Sequence, residues 1–228
     1  MNYFANKTVV VLGATGILGQ LTAHDLSERG ADVRLIVRSP NSLAFALRDL
    51  PVAVADITKR DEVAAALTAV SHGQSVDGII NCTGVVAFGN FSELSDEVAQ
   101  EVMAVNALGV INVISLATTS LNPEGFLASF TGVAADMTIA GMGAYCASKA
   151  AAKTAMGVAA RELRRQKIRV LDIRAPHTET GLITRALEGT APKMPEGLQP
   201  QAVIDRVLDA IAMGEKDLPA EAFAAQSN

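Results

Sequence analysis

The sequence predicts an α/β fold: a doubly wound parallel sheet of six or seven strands with helices on both faces. Three observations predict it. Short runs rich in β-branched and apolar residues recur along the chain. They are apolar without alternation, the pattern of strands buried on both faces. Stretches of helical periodicity separate them. A chain of 228 residues is long enough for a sizeable core. It shows no internal repeat, low-complexity linker or break in composition, so 1–228 reads as a single domain.

In chain order the strand-like runs fall at 8–12, 33–37, 52–54, 76–80, 125–130 and 168–173. Helical stretches lie between them at 18–28, 61–70, 96–116 and 148–165. Parallel neighbours need crossover connections of one hand, which places the helices over both faces. After Pro176 the pattern breaks. "PHTETGLITRALEGTAPKMPEGLQP" carries three further prolines and predicts a loop with short helices, and "QAVIDRVLDAIAMG" predicts a closing helix.

Composition excludes several classes of function. The net charge is −5, and the one basic cluster, "RELRRQK", reads as the last turn of a helix, where cations complement the dipole. No nucleic-acid partner is expected. No uninterrupted apolar run approaches the ~20 residues of a membrane helix, and the N-terminus runs into the first strand without the pattern of a signal peptide. No membrane partner is expected either. Cys82 and Cys146 lie far apart and in no paired motif, which fits a reduced cytoplasmic chain. His24, His72 and His177 have no metal-ligand spacing, and no metal is expected.

The chemistry begins with "VVVLGATGILGQ". Gly13, Gly16 and Gly19 fall where the first strand passes into the first helix, with Thr15, Ile17 and Leu18 in the same turn. Glycine there weakens the helix, so the backbone itself must be wanted. A glycine turn lets a pyrophosphate touch the backbone, and the helix start offers free N–H groups and the positive dipole end. The position predicts dinucleotide binding in a Rossmann fold. The second strand ends in "VRLIVRSP", with Arg38 and Ser39 where an NAD-binding carboxylate would stand. An Arg there pairs with a 2′-phosphate, so NADP(H) is favoured over NAD(H). Asp56 and Ile57, after "VAVAD", either meet the adenine or start the turn before the next helix.

The chain at this point resembles the short-chain dehydrogenases/reductases, from Val9 to about Thr180. "NCTG", with Asn81 and Gly84, resembles the family's Asn-Asn-Ala-Gly segment, which supports the sheet and borders the cofactor. "VNALG" carries Asn106 at the helix Asn of the proton relay, and "AYCASKAA" supplies Tyr145 and Lys149 in the Tyr-x-x-x-Lys pattern. "IRVLDIRAP" matches the sixth strand, with Pro176 at the Pro-Gly position. The resemblance implies a nicotinamide-dependent oxidoreductase with Tyr145 as acid/base. It implies that Lys149 holds the nicotinamide ribose and that Asn106 holds a relay water. Four residues apart, Tyr145 and Lys149 share a helix face. A nearby ammonium favours the phenolate over the ordinary phenol pKa of ~10.

Several features depart from the family. Its serine lies about 13 residues before the tyrosine, and counting back from Tyr145 reaches Gly132. Thr131, one residue upstream, is the candidate hydroxyl, and Ser129 the alternative. His177 replaces the glycine after Pro176, and Thr178 and Thr180 are both candidates for the nicotinamide amide or pyrophosphate. The Gly-rich last strand of many relatives is missing, which favours six strands with the closing helix packed alone. The expected substrate walls, 133–144, 84–91 and the stretch after Pro176, are mostly apolar, with Val85, Val86, Phe88, Ile139, Met142 and Leu182. A neutral carbonyl or alcohol is expected. The alternatives are a catalytically weak NAD(P)-binding sensor or partner module, and an epimerase- or dehydratase-like activity suggested by the glycine spacing. Helices 96–116 and 148–165 resemble those that relatives pair across a two-fold axis, so a homodimer, or a tetramer, is expected.

Overall fold

A computed structural model describes residues 2–226. Its seven strands form one parallel sheet in the order β3-β2-β1-β4-β5-β6-β7. They are β1 (Thr8–Leu12), β2 (Asp32–Val37), β3 (Val52–Val54), β4 (Val76–Asn81), β5 (Leu121–Phe130), β6 (Arg169–Ile173) and β7 (Asp217–Leu218). The register pairs Val9 with Val33 on one side of β1 and with Gly78 on the other. The chain therefore winds outward from β1 in both directions. The crevice at the carboxyl ends of β1 and β4 is the switch point where such sheets bind ligands.

Six helices cover the two faces: α1 (Ile17–Glu28), α2 (Arg60–Ser71), α3 (Asp96–Met103), α4 (Gly109–Ser120), α5 (Gly143–Glu162) and α6 (Pro200–Met213). Alternate residues of each strand feed two cores. Val9, Val11, Leu35, Ile80 and Leu171 pack with Leu26 of α1 and with Ile204 and Leu208 of α6. Val10, Ile36, Ile79 and Leu127 pack with Leu67, Val113 and Met156 of α2, α4 and α5.

The structure corrects the six-strand expectation. β7 is only two residues long, pairing Asp172 with Asp217 and Ile173 with Leu218, too short to leave a hydrophobic run in the sequence. The closing helix is therefore followed by a strand rather than packed alone. The helical stretch at 96–116 is divided by a wide turn, Ala104–Leu108, where the Gly109 amide bonds back to Ala104 O. Asp96–Ser120 has a window of mean hydropathy 1.7 and is long enough to cross a membrane, but half of that window is buried inside the fold.

Two glycines allow close packing here, Gly13 against the loop after β4 and Gly19 of α1 against the turn that follows β1. Gly13 has φ +83°, and a Cβ there would stand 3.0 Å from Thr83 Cγ2 and from the Thr83 amide. A Cβ on Gly19 would come within 2.3 Å of Gly13 O. Gly157, midway along α5, has nothing within 4 Å. Gly19→Ala is therefore expected to cost ~1–3 kcal/mol of stability, whereas Gly157→Ala should gain about 0.5–1 kcal/mol. Chemical denaturation of both variants checks this, and a Gly19→Ala protein as stable as wild type would overturn the packing argument.

Candidate active site

A cleft of about 870 Å³ runs along the carboxyl edge of the sheet. At one end it is lined by Gly13, Thr15, Gly16, Ile17 and Leu18. Gly16 is the N-cap of α1 and offers no side-chain bond. The first amides of a helix lack intrahelical partners, so this end carries donors and the positive dipole. Gly19 does not line the cleft. Arg38 lines it with a side chain 72% exposed, and Glu101 Oε1 stands 3.9 Å away. Ser39 does not line it; its hydroxyl accepts from the Asn41 amide and caps a short turn.

Asp56 and Ile57 both line the cleft. Asp56 Oδ1 accepts from the Thr58 amide at 2.9 Å and the Thr58 hydroxyl at 2.8 Å, so it also starts the turn before α2. Burial works to raise this carboxyl, but the Thr58 bonds, with Arg38 and Lys59 nearby, hold it below its ordinary value.

Beyond β4, Gly84 lines the cleft but Asn81 does not. Asn81 Oδ1 accepts from the Thr83 amide and hydroxyl, and Nδ2 donates to Ser129 Oγ. Asn106 sits in the wide turn, buried behind the wall. Its Oδ1 accepts from the Val85 amide at 2.9 Å, and Nδ2 donates to Val85 O at 2.9 Å and Ser148 Oγ at 3.0 Å. Its two donors are thus engaged by protein. A Cβ on Gly84 would stand 3.4 Å from both Asn106 Oδ1 and Lys149 Nζ, so the missing side chain leaves a gap between those atoms.

Tyr145 and Lys149, on the first turns of α5, line the cleft together. Lys149 Nζ donates to Phe130 O at 3.0 Å and lies 5.8 Å from the centre of the Tyr145 ring. Burial, with Cys146 adding to it, pushes the Tyr145 phenol up to about 12. Burial brings Lys149 down to about 8 against the opposing pull of Asp172. In the free protein the phenol therefore holds its proton at neutral pH.

The candidate hydroxyl of Thr131 is corrected. Thr131 is fully buried, and its Oγ1 donates to Asp172 Oδ1 at 2.5 Å, away from the cleft. Ser129 is also buried and is held by Asn81. The cause is a bulge: the amides of Thr131 and Gly132 both donate to Ile173 O at 3.0 Å. Two residues then oppose one, and the side chains after β5 are re-aimed. Gly132 lines the cleft instead, at φ +76° and ψ 160°, a conformation open essentially to glycine alone.

Pro176, His177, Thr178 and Thr180 line the far part of the cleft, and the Thr178 hydroxyl donates to Pro176 O at 2.9 Å. The stretch after Pro176 closes over the loop after β4: Phe88 N donates to Glu188 O, and Leu187 N to Val86 O, each at 2.9 Å. This brings Arg185 and Lys193 to the cleft, two cations that the sequence reading of the walls missed. Only their place in the proline-rich stretch signalled them.

A parallel sheet with a glycine turn at its switch point and a Tyr–Lys pair in the crevice defines a nicotinamide-dependent oxidoreductase of the Rossmann type. The pattern of the short chain dehydrogenases matches residues 7–190, and the chain belongs to that family. It is 27% identical over 216 residues to an uncharacterized oxidoreductase of Methylorubrum extorquens, covering 90% of this chain and 86% of the relative. It is 32% identical over 187 residues to the 3-hydroxyacyl-CoA dehydrogenase type-2 of Drosophila melanogaster, covering 74% and 73%. A crystal structure of a short chain dehydrogenase from Burkholderia cenocepacia in complex with NADP superposes with a TM-score of 0.83 at 26% identity, over 98% of this chain and 91% of that one. The protein is an NAD(P)-dependent oxidoreductase acting on CH–OH or C=O groups.

Carrying Lys149 charged in this site costs folding stability, because its folded pKa of about 8 lies below the model-peptide value of 10.5. The unfolded chain binds the extra proton, so the cost is full below pH 8 and fades as pH rises toward 10.5. Lys149→Met is expected to raise stability at pH 7 by roughly 1–3 kcal/mol, with the gain shrinking by pH 10. Thermal unfolding across that range checks it, and a gain that does not shrink with pH contradicts it.

Proposed function

We propose that this enzyme is an NADP(H)-dependent carbonyl reductase or alcohol dehydrogenase acting on a neutral, largely apolar substrate. The observation that carries the reading is the shared cleft: Tyr145 and Lys149 open onto the same space as the glycine turn and Arg38. The chain fits the cofactor. The amides at the start of α1 suit a pyrophosphate, and Arg38 suits a 2′-phosphate. Asp56 and Ile57 suit the adenine. Gly84, Pro176, Thr178 and Thr180 border the nicotinamide end. Gly19, Ser39 and Asn81, outside the lining, act by shaping the turns that hold it.

When bound, reduced nicotinamide supplies a hydride to the carbonyl carbon. Tyr145 gives its phenolic proton to the carbonyl oxygen, a proton that it holds at neutral pH in the free protein. Lys149 orients the ribose hydroxyls and offsets charge that develops on Tyr145. Asn106 braces the wall, and the gap at Gly84 suits a water between it and Lys149. Val85, Val86, Phe88, Ile139, Met142 and Leu182 form an apolar wall that fits a neutral substrate. The free thiols Cys82 and Cys146 suit a reducing compartment such as the cytoplasm.

A second reading, a catalytically weak NAD(P)-binding protein, is favoured by one observation, the lack of a hydroxyl at Gly132. One experiment separates the two. NADPH should raise the melting temperature more than NADH, and Arg38→Gln should weaken NADPH binding about 10- to 100-fold while leaving NADH unchanged. Tyr145→Phe should bind NADPH normally and lose turnover on an aryl ketone panel. Binding without turnover in the wild type supports the weak binder, and no cofactor-dependent shift overturns both readings.

We also infer a dimer through the α3–α4 segment and α5. Met103 at the end of α3, Leu108 in the wide turn, Ile111 of α4 and Val158 of α5 leave 37–55% of their surface exposed, and a two-fold axis would cover the same residues of two copies. Leu108→Asp is expected to convert the dimer to a monomer by light scattering at micromolar concentration. A monomeric wild type would overturn the dimer and the tetramer alike.

A further inference from the structure

Arg38, the residue after β2, does not stand alone at the cleft. Its Nη1 lies 3.9 Å from Oε1 of Glu101, which α3 carries, and both side chains are reached by water. Among the described residues this is the one ion pair that Arg38 makes, and its guanidinium donates no hydrogen bond. Arg38 also lies near Asp56. That carboxylate is partly engaged, because its Oδ1 accepts from the Thr58 amide and hydroxyl.

Packing, rather than the ion pair, sets where Glu101 stands. Val105, about one helical turn further along, lines the cleft together with Arg38, Asp56 and Ile57. A Cβ on Gly109, at the start of α4, would stand 2.9 Å from Ile57 Cγ2. Asn112 Nδ2 donates to Ile57 O at 2.9 Å. The α3–α4 segment is thus fastened to the turn after β3 that holds Asp56 and Ile57. An exposed pair as long as Arg38–Glu101 contributes little to the fold. Its consequence falls on what else can reach Arg38.

We propose that Glu101 sets how strongly the enzyme prefers NADP(H), because its carboxylate and the 2′-phosphate compete for the same guanidinium. This rests on the reading of Arg38 as the partner of that phosphate. A guanidinium can take a phosphate through two parallel hydrogen bonds, whereas a contact of 3.9 Å is none. The phosphate therefore displaces Glu101 and gives up part of its own gain in doing so. NAD(H) carries a neutral hydroxyl at that place and leaves the pair intact. Glu101 thus narrows the gap between the two cofactors.

NADPH and NADH binding is titrated by nicotinamide fluorescence on wild type, Glu101→Gln, Glu97→Gln, Arg38→Gln and the Arg38→Gln/Glu101→Gln double variant. The melting temperature of each is measured without cofactor. Glu101→Gln should tighten NADPH about 2- to 5-fold, the worth of an exposed ion pair, with NADH affinity and melting temperature little changed. The gain should vanish in the Arg38→Gln background, where no guanidinium remains to compete for. Glu97, exposed one turn earlier on α3, makes no ion pair among the described residues and controls for net charge. Its variant should bind both cofactors as wild type does. Unchanged NADPH affinity in Glu101→Gln overturns the inference, as does an equal gain for NADH. A gain of the same size in Glu97→Gln, or one that survives Arg38→Gln in full, also overturns it. Each of these leaves the reading of Arg38 standing if Arg38→Gln weakens NADPH. An Arg38→Gln protein with wild-type NADPH affinity overturns that reading and the inference with it.

Discussion

The shape of the cleft depends on how the loop after β4 is held against α5, and that depends on the buried amide of Asn106. Its carbonyl and its NH₂ pair with both backbone groups of Val85, and the second N–H reaches Ser148, whose hydroxyl donates to Tyr145 O. One side chain thus joins the β4 loop, the α3–α4 segment and the turn of α5 that carries Tyr145. The wide turn at Ala104–Leu108 is what points an amide inward from an otherwise apolar helix. Such turns inside helices recur at functional sites. A buried amide left without these partners would cost about 1–3 kcal/mol per group, so the arrangement is held tightly.

The absent hydroxyl and the unforeseen seventh strand belong to one ionic network. Thr131 bonds Asp172, and Asp172 Oδ2 lies 2.6 Å from Arg174 Nη1. Arg174 reaches Asp217 of β7 at 2.6 Å and Asp136 at 2.8 Å, and its amide donates to Leu218 O. Asp136 in turn pairs with Lys153 of α5. Burial raises the Asp172 carboxyl, while the bonds from Thr131 and Arg174 oppose the shift. Removing one partner of such a buried group would leave a charge uncompensated. The threonine is therefore committed to the sheet edge, and the loop beyond it is left to Gly132.

This network explains where sequence reasoning succeeded and where it stopped. Strands such as Thr8–Leu12 and Val52–Val54 were legible to the residue, because continuous apolar runs have few other uses in a chain of this kind. The Tyr145–Lys149 pair was legible from its resemblance to the family's Tyr-x-x-x-Lys pattern, and both residues line the cleft. Thr131 was not, because a bulge shifts which side chain faces the crevice without altering composition or periodicity. Ser39 and Asn81 lie beside the cleft in sequence, but their side chains cap turns. A two-residue β7 is held by the buried Leu218 and by Arg174 on Asp217, and a pairing so short leaves no mark in hydropathy.

The electrostatics of the crevice follow from the same burial. Two titratable groups stand together in an apolar wall, and each is pushed toward its neutral form, Tyr145 up to about 12 and Lys149 down to about 8. A low-dielectric site of this kind disfavours bringing in another isolated charge. It strengthens whatever dipoles already point at the reacting oxygen. Arg185 and Lys193 line the same cleft from the proline-rich stretch, with the apolar Val85, Val133 and Met142 also in its walls. The proposed neutral carbonyl suits that arrangement, because its charge would appear only as the hydride arrives.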